Sequence, residues 1–317
     1  MPTSFDLYKV VDLGIAWNWE YDRDFVVLLE RVFSGHGLTT YRVEDHNLEE
    51  TFREVKKGQL SFRFYLDRAS DADNRYEPLA RMVERSTARI INKYADAVRS
   101  MDKATMHLEF LTKGLQVPYT IVISPFNTRR ELELSLSELA NLGRPFIIKP
   151  ANTTGGGIGV VTGAASLQDV LDHRQRHKSD KYLLQRRIES VILDGRKAWF
   201  RVLAAFDRVY PCWWDHETHR YQPVMPDEKD RYGLEPLWEV TRSIAEVCRL
   251  DFFSTEVALE AGGRFVVVDY VNHPCDMRIQ SCHWDGVPDD VVRSIADRMA
   301  DEVKAEDVFP LDFRRIV

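Results

Sequence analysis

The sixteen residues Phe146-Ile147-Ile148-Lys149-Pro150-Ala151-Asn152-Thr153-Thr154-Gly155-Gly156-Gly157-Ile158-Gly159-Val160-Val161 constrain this chain more than any other stretch. Phe146 to Ile148 predict a buried strand that ends by delivering Lys149, and Val160-Val161 open a second strand. Between them stand four glycines among five residues, Gly155, Gly156, Gly157 and Gly159. Glycines let successive backbone N–H groups turn toward one anion, which is how loops cradle phosphates. The lysine precedes the glycines, so this is not a Walker P-loop, and no helix follows as a dinucleotide G-x-G-x-x-G requires. A flexible hairpin loop is the plain alternative, and Lys149 at its edge weighs toward an anion.

Around this run the chain alternates α and β, a class of α/β in the first third and α+β beyond it. The first third reads as strand Leu7 to Ile15, helix Asp24 to His36, strand Leu60 to Leu66 and helix Tyr76 to Arg85. Met101, Ala104, Leu108 and Leu111 predict the stripe of a helix that starts near Ser100 and stops at Gly114. Short strands follow, at Pro145 to Lys149, Gly159 to Thr162, Tyr182 to Arg186, Trp199 to Phe206 and Val209 to Trp214. Ser166-Leu167-Gln168-Asp169 announces a capped helix among them. Helices at Glu235 to Arg249 and Asp289 to Ala305 flank a hairpin from Ser254 to Val271. A chain of 317 residues exceeds one core and divides into two or three packed subdomains.

Composition narrows the class of function. Hydrophobic residues at 44% and charged residues at 29% supply a core and exclude global disorder. With 43 basic against 50 acidic residues the net charge is −7, which gives no general pull on nucleic acid or anionic lipid. The longest apolar runs, Phe25 to Leu29 and Val202 to Phe206, are five residues, too short to span a bilayer. Met1-Pro2-Thr3-Ser4-Phe5-Asp6 shows no signal-peptide pattern, and four cysteines make no disulfide scaffold, so a cytoplasmic protein is expected.

Three further features carry chemistry. Lys103 sits in the first turn of a predicted helix, where the dipole disfavours a cation; exposure would make that harmless, and a bound anion would make it useful. Glu256 and Asp269 flank Gly262-Gly263, and a two-residue turn there sets them directly opposite on one face. Such a pair needs a cation or a proton between its members, and Asn272 adds a neutral oxygen, an all-oxygen set suited to Mg2+. A three-residue loop would instead shift the register and put the acids on opposite faces. The spacing of His273, Cys275, Cys282 and His283 is not a usual zinc pattern.

Taken in chain order, these features resemble the ATP-grasp superfamily of carboxylate–amine and carboxylate–thiol ligases. The resemblance runs from about Ser100 to the C-terminus and more weakly through the first hundred residues. It implies a pre-ATP-grasp α/β domain at 1–104, a glycine-loop lid at 105–184 and a catalytic subdomain at 185–317. Asp102-Lys103-Ala104-Thr105 and Phe146-Ile147-Ile148-Lys149-Pro150 match the family's two lysine motifs, which implies that Lys103 and Lys149 contact ATP phosphates under the loop Gly155 to Gly159. Tyr182 to Ile188 resembles the hinge strand, so Gln185 by its side chain and Arg187 with Ile188 by backbone would read adenine. Arg201 matches the arginine that stabilises transferred phosphate, and Glu256, Asp269 and Asn272 fall where the family holds its metal. The chain departs from that pattern in two places. Asp269-Tyr270-Val271-Asn272 is one residue longer than the usual E-x-N, which a bulge would absorb, and Trp199 occupies the slot of the ribose-binding acid.

The resemblance implies ATP with one or two Mg2+ ions, Mn2+ being able to replace them. The partners would be a small carboxylate and an amine or thiol, joined through an acyl phosphate, with no nucleic acid or membrane partner and a homodimer left open. Arg278 would anchor the carboxylate, or else form a local salt bridge with Asp276. A kinase on the same scaffold is an alternative that would use Arg53, Lys56, Lys57, Arg63 and Arg68 for an anionic substrate. A nucleotide-binding interaction protein without turnover is another. Leu66 to Asp73 is polar enough for a recognition loop, and a solvated turn explains it equally well.

Overall fold

The computed structural model describes residues 8–153 and 157–306, so Gly155 and Gly156 of the glycine loop lie outside the described residues. The first layer is a parallel sheet of β1 (Lys9–Trp17), β2 (Thr40–Val43), β3 (Leu60–Arg68) and β4 (Arg89–Ile91), in the order β2-β1-β3-β4. Its crossovers are α1 (Arg23–Gly35), α2 (Leu48–Lys56) and α3 (Glu77–Glu84). In α1 the residues Phe25, Val26, Leu29, Val32 and Phe33 recur at helical spacing and form the buried face. The charged segment that gave no sequence signal contains β2 and α2, whose buried positions, Val43, Leu48 and Thr51, are too few to stand out among charges.

The helix expected from Ser100 is two helices, α4 (Tyr94–Met101) and α5 (Lys103–Lys113). Asp102 breaks the chain between them with an extended backbone and caps α5, accepting from the N–H of Ala104 at 3.0 Å and of Thr105 at 3.3 Å. Gly114 ends α5 at φ 85°, as its position predicts. The expected stripe is corrected. The buried face carries Ala104, Met106, His107 and Phe110, while Leu108 and Leu111 are 61% and 52% exposed. His107 joins the core because its Nδ1 meets the Tyr270 hydroxyl at 2.7 Å, a contact that apolar periodicity cannot reveal.

The second layer is an antiparallel sheet of β5 (Thr120–Ile123), β6 (Phe146–Pro150), β7 (Val161–Ala164) and β8 (Tyr182–Arg186), in the order β5-β8-β6-β7. Two helices cover it, α6 (Leu136–Leu142) and α7 (Leu167–Arg174), the second entered by the expected box between Ser166 and Asp169. All of β8 pairs within this sheet, and α5 packs on α9 and on the strands near Phe253 and Tyr270, so this second sheet spans Thr120 to Arg186.

A small hairpin of β9 (Ile192–Leu193) and β10 (Arg196–Lys197) leads into the third layer. Its antiparallel sheet contains β11 (Trp199–Ala205), β12 (Arg208–Asp215), β13 (Arg220–Pro223), β14 (Phe252–Glu260) and β15 (Arg264–Asn272), in the order β13-β12-β11-β14-β15. The helices of this half are α8 (Pro226–Arg231), α9 (Pro236–Cys248) and α10 (Asp289–Ala305). Val292, Ile295, Met299 and Val303 of α10 are fully buried, as their spacing predicts. They share one core with Leu13, Ile15 and Phe25 of the first layer and Leu203 and Phe252 of the third. That common core fixes the N-terminal sheet against the catalytic sheet. No helix among the described residues is long and apolar enough to cross a membrane.

Candidate active site

The β14–β15 hairpin sets the site's carboxylates. Glu260 pairs with Arg264, so the turn has three residues, Ala261 to Gly263, where a two-residue turn was expected. From there to Val257↔Val267 the ladder is regular, and it would place Val268 opposite Glu256. One extra residue bulges out at that point, and Glu256 faces Asp269 after all. A second irregularity before Ser254↔Asn272 takes up the extra residue between Asp269 and Asn272. The expected juxtaposition therefore holds, by a longer loop plus a bulge.

Three cations from three elements converge on these acids. Lys103 leads α5, and its Nζ lies 3.9 Å from Asp269. The backbone N–H of Lys103 also donates to the carbonyl of Ala151 at 3.1 Å, tying the helix start to the end of β6. Lys149 is 5% exposed, donates from Nζ to the Val268 carbonyl at 3.1 Å, and lies 5.2 Å above the Tyr270 ring. Arg201 pairs with Glu256 across β11 and β14, Nη1 to Oε1 at 3.6 Å, and its Nε is buried with no partner. Trp199 donates its indole N–H to the other oxygen of Glu256 at 3.1 Å.

Electrostatics follow from burial and proximity. Burial raises the Glu256 carboxyl above its ordinary range, with Arg201 pulling it down and Asp269 adding to the rise. Burial would raise Asp269 too, but Lys103, Lys149 and Arg201 outweigh it and hold that carboxyl below the carboxylate range. Lys149 is lowered to about 8, first by burial, with Lys103 adding to the effect against the pull of Asp269 and Glu256. Two facing carboxylates, with Asn272 close to Asp269 and able to offer an amide oxygen, form a donor set that fits a hard cation. Among the described residues no three His, Cys, Asp or Glu side chains converge, so a cation here needs oxygens from its ligand as well.

The remaining expected residues are placed less directly. Gly157 and Gly159 have φ of 80° and 77°, the left-handed region that suits glycine in an anion loop. Gln185 is 2% exposed and its amide nitrogen is committed to the Tyr270 hydroxyl at 2.9 Å and Thr120 Oγ1 at 3.1 Å. Arg187 is half exposed and pairs with Glu189 at 3.1 Å, while Ile188 is buried against Ala258 and Val266. Arg278 is gripped by Asp276 and Asp285 on both edges of its guanidinium, at 2.8–3.1 Å. Of its two readings that geometry favours the local salt bridge. It holds the 276–285 loop, closed further where Gly286 passes so near the Arg278 carbonyl that a Cβ would lie 2.5 Å from it. Sequence reasoning missed Tyr270, which lies under Lys149 and joins His107 to Gln185; its only signal was its place between Asp269 and Asn272.

No protein family's sequence profile matches the chain, and no curated protein matches it. Solved structures do. The ATP-grasp ligase PsnB, complexed with minimal precursor, Mg and ADP, aligns at TM-score 0.63 and 15% identity over 94% of this chain and 98% of its own. A RimK domain ATP-grasp protein from Sphaerobacter thermophilus aligns at 0.61 and 19% identity, covering 92% and 99%. The D-alanine–D-alanine ligase from Bacillus anthracis, complexed with ATP, aligns at 0.60 and 11% identity, covering 94% and 99%. With its three sheets in this order and these alignments spanning both partners almost end to end, the chain has the ATP-grasp fold.

Proposed function

We propose that this chain is an ATP- and Mg2+-dependent ligase that joins a carboxylate to an amine or thiol through an acyl phosphate. The observation that carries the proposal is the meeting of Lys103, Lys149 and Arg201 at two facing carboxylates, Glu256 and Asp269. Three cations against two acids suit a polyphosphate that arrives with its metal. The structural neighbours that are ligases, among them one with Mg and ADP and one with ATP, agree with that reading.

Lys103 and Lys149 bind the phosphate oxygens, and Gly157 and Gly159 present the lid over them. Glu256, Asp269 and Asn272 would hold one or two Mg2+ ions, which would neutralise charge on the polyphosphate. Arg201, fixed by Glu256 and with its Nε unpartnered, stabilises the transferred phosphoryl group. The adenine edge is read by the backbone of Arg187 and Ile188. A substrate carboxylate attacks the γ-phosphorus and ADP leaves; the amine or thiol then attacks the acyl carbon and phosphate leaves. Positioning and charge neutralisation do this work, so no protein nucleophile is required.

Two of the five basic residues that the kinase alternative would use are engaged elsewhere. Arg68 is buried on Asp22 at 2.5 Å, and Arg63 is engaged by Asp12 at 2.7 Å and the Val303 carbonyl at 2.9 Å. The test is incubation of the purified protein with ATP, Mg2+ and amino-acid pools, with ADP and inorganic phosphate measured together. Equal release of both is expected, lost in Lys149→Ala and reduced about 10²–10³-fold in Arg201→Ala. ADP without phosphate would establish phosphoryl transfer to a product and overturn the ligase reading.

A further inference from the structure

A cavity of about 90 Å³ lies between the N-terminal sheet and the catalytic sheet, and the nucleotide site does not use it. Asp67, Ser70 and Asp71 line it from the end of β3 and the loop beyond, within the polar segment Leu66 to Asp73. Ala97 and Met101 line it from one face of α4, and His273 closes it. Its position follows the rule that open parallel sheets bind ligands outside the carboxyl ends of their strands. It also adjoins the proposed chemistry through the chain itself, since Met101 stands two residues before Lys103 and His273 directly follows Asn272.

Its lining holds two carboxylates and no lysine or arginine. Asp67 Oδ1 accepts the backbone N–H groups of Ala69 and Ser70, each at 3.0 Å, which fixes that carboxylate in place. Ser70 is 8% exposed, and its hydroxyl is buried with no hydrogen-bond partner. A buried hydroxyl without a partner forfeits the hydrogen bonds it had in water, so its presence beside a cavity points to a polar ligand. Desolvation raises the Asp71 carboxyl to about 6, against the pull of Arg68 and with Asp67 adding to the rise. Arg68 pulls on it from nearby but donates its own hydrogen bonds to Asp22 and to the Cys275 carbonyl. The volume equals the share of about three water molecules, room for a charged head group and a short stem along the apolar face of α4.

We propose that this cavity seats the ammonium group of the co-substrate and that the Asp71 carboxylate takes one proton from it, freeing the amine that attacks the acyl phosphate as inorganic phosphate leaves, so that the bond the enzyme makes is C–N and not C–S. The assignment rests on the ligase reading above and selects within it. An ammonium donates to both carboxylates and to the Ser70 hydroxyl, whereas a thiolate or a second carboxylate meets like charge.

The test needs no turnover. Uniformly 15N-labelled protein without nucleotide is titrated with methylammonium chloride at pH 7.5, with sodium chloride at matched ionic strength as the control. Asp67→Asn and Asp71→Asn are run alongside; both keep the side-chain shape, and Asp67→Asn retains the oxygen that accepts from Ala69 and Ser70. Saturable shifts at the amides of Ser70 and His273 are expected, weakened at least tenfold in either variant and absent with sodium chloride or ethanethiol. Shifts that fail to saturate, match those of sodium chloride, persist unchanged in both variants or arise equally with ethanethiol would overturn the assignment. Such a failure alongside equal release of ADP and phosphate removes the amine site and leaves the ligase. Saturable binding with no phosphate release removes the ligase instead.

Discussion

Lys149 is the residue on which most of the site's electrostatics turn. It is buried at the end of β6, held by the Val268 carbonyl, and lowered to about 8, mainly by burial. A lysine so placed loses its charge as pH rises through that value, and with it the attraction for phosphate oxygens. The apparent Kd for Mg·ATP is therefore expected to weaken roughly tenfold per pH unit above about 8, measured by calorimetry from pH 7.5 to 9.5. Lys149→Arg, which keeps its charge over that range, should bind more weakly at pH 7.5 yet show no such slope. A flat wild-type profile, or the same slope in Lys149→Arg, would count against the role assigned to this side chain. The importance of Lys149 was legible in the sequence because an apolar strand delivers it beside a glycine loop. Its depressed pKa was not, because that depends on burial by residues arriving from other elements and on Lys103 nearby, which together outweigh the pull of Asp269 and Glu256.

At the scale of the element, the β14–β15 hairpin shows how a correct pairing can rest on an incorrect turn. Glu256 opposite Asp269 was expected from two glycines in a tight turn; the structure uses Ala261, Gly262 and Gly263 and then corrects the register by a bulge beyond Val267. Bulges are decided by packing on both faces of a sheet, and one strand's sequence contains only half of that information. Gly262 and Gly263 have φ of 83° and 77°, and a Cβ on either would meet nothing within 4 Å. The whole penalty of a side chain there is backbone strain, about 1–2 kcal/mol. Gly262→Ala and Gly263→Ala should each lower unfolding stability in urea by that amount while leaving Mg·ATP affinity unchanged, since the turn lies at the far end of the hairpin from Asp269. Losses of only a few tenths of a kcal/mol would show that the turn relaxes into another form. In α5 the limit of sequence reading is of another kind: Leu108 and Leu111 suggested one face, but the break at Asp102 and the buried His107 turned the helix to another.

Across the whole molecule, one buried arginine, ion-paired within the N-terminal layer, links that layer to the segment that follows β15. Arg68 at the end of β3 donates to both oxygens of Asp22, at 2.8 and 2.5 Å, and to the Cys275 carbonyl at 2.9 Å, with Arg68 3% and Asp22 1% exposed. Removing one member of such a pair strands a buried charge, at a loss of about 3–5 kcal/mol, whereas replacing both by apolar groups is often far less harmful. Arg68→Met is therefore expected to lose about 3–5 kcal/mol and Arg68→Met with Asp22→Leu to regain most of it, read from urea denaturation. A double variant no better than the single one would mean that the loss comes from the Cys275 contact and not from the ion pair. By itself the sequence determined the alternation of α and β, the place of α1, the buried face of α10, the glycine loop with its lysine, and the identity of the two facing acids. These are local patterns, written in the spacing of neighbours along the chain. Only the tertiary structure decided that α5 packs on α9 and on the strands near Phe253 and Tyr270, that Arg278 is enclosed by Asp276 and Asp285, that Tyr270 underlies Lys149, and that Asp67, Ser70 and Asp71 border a cavity. Each of these depends on residues far apart in the chain meeting, and no periodicity along one strand or helix specifies what it will face.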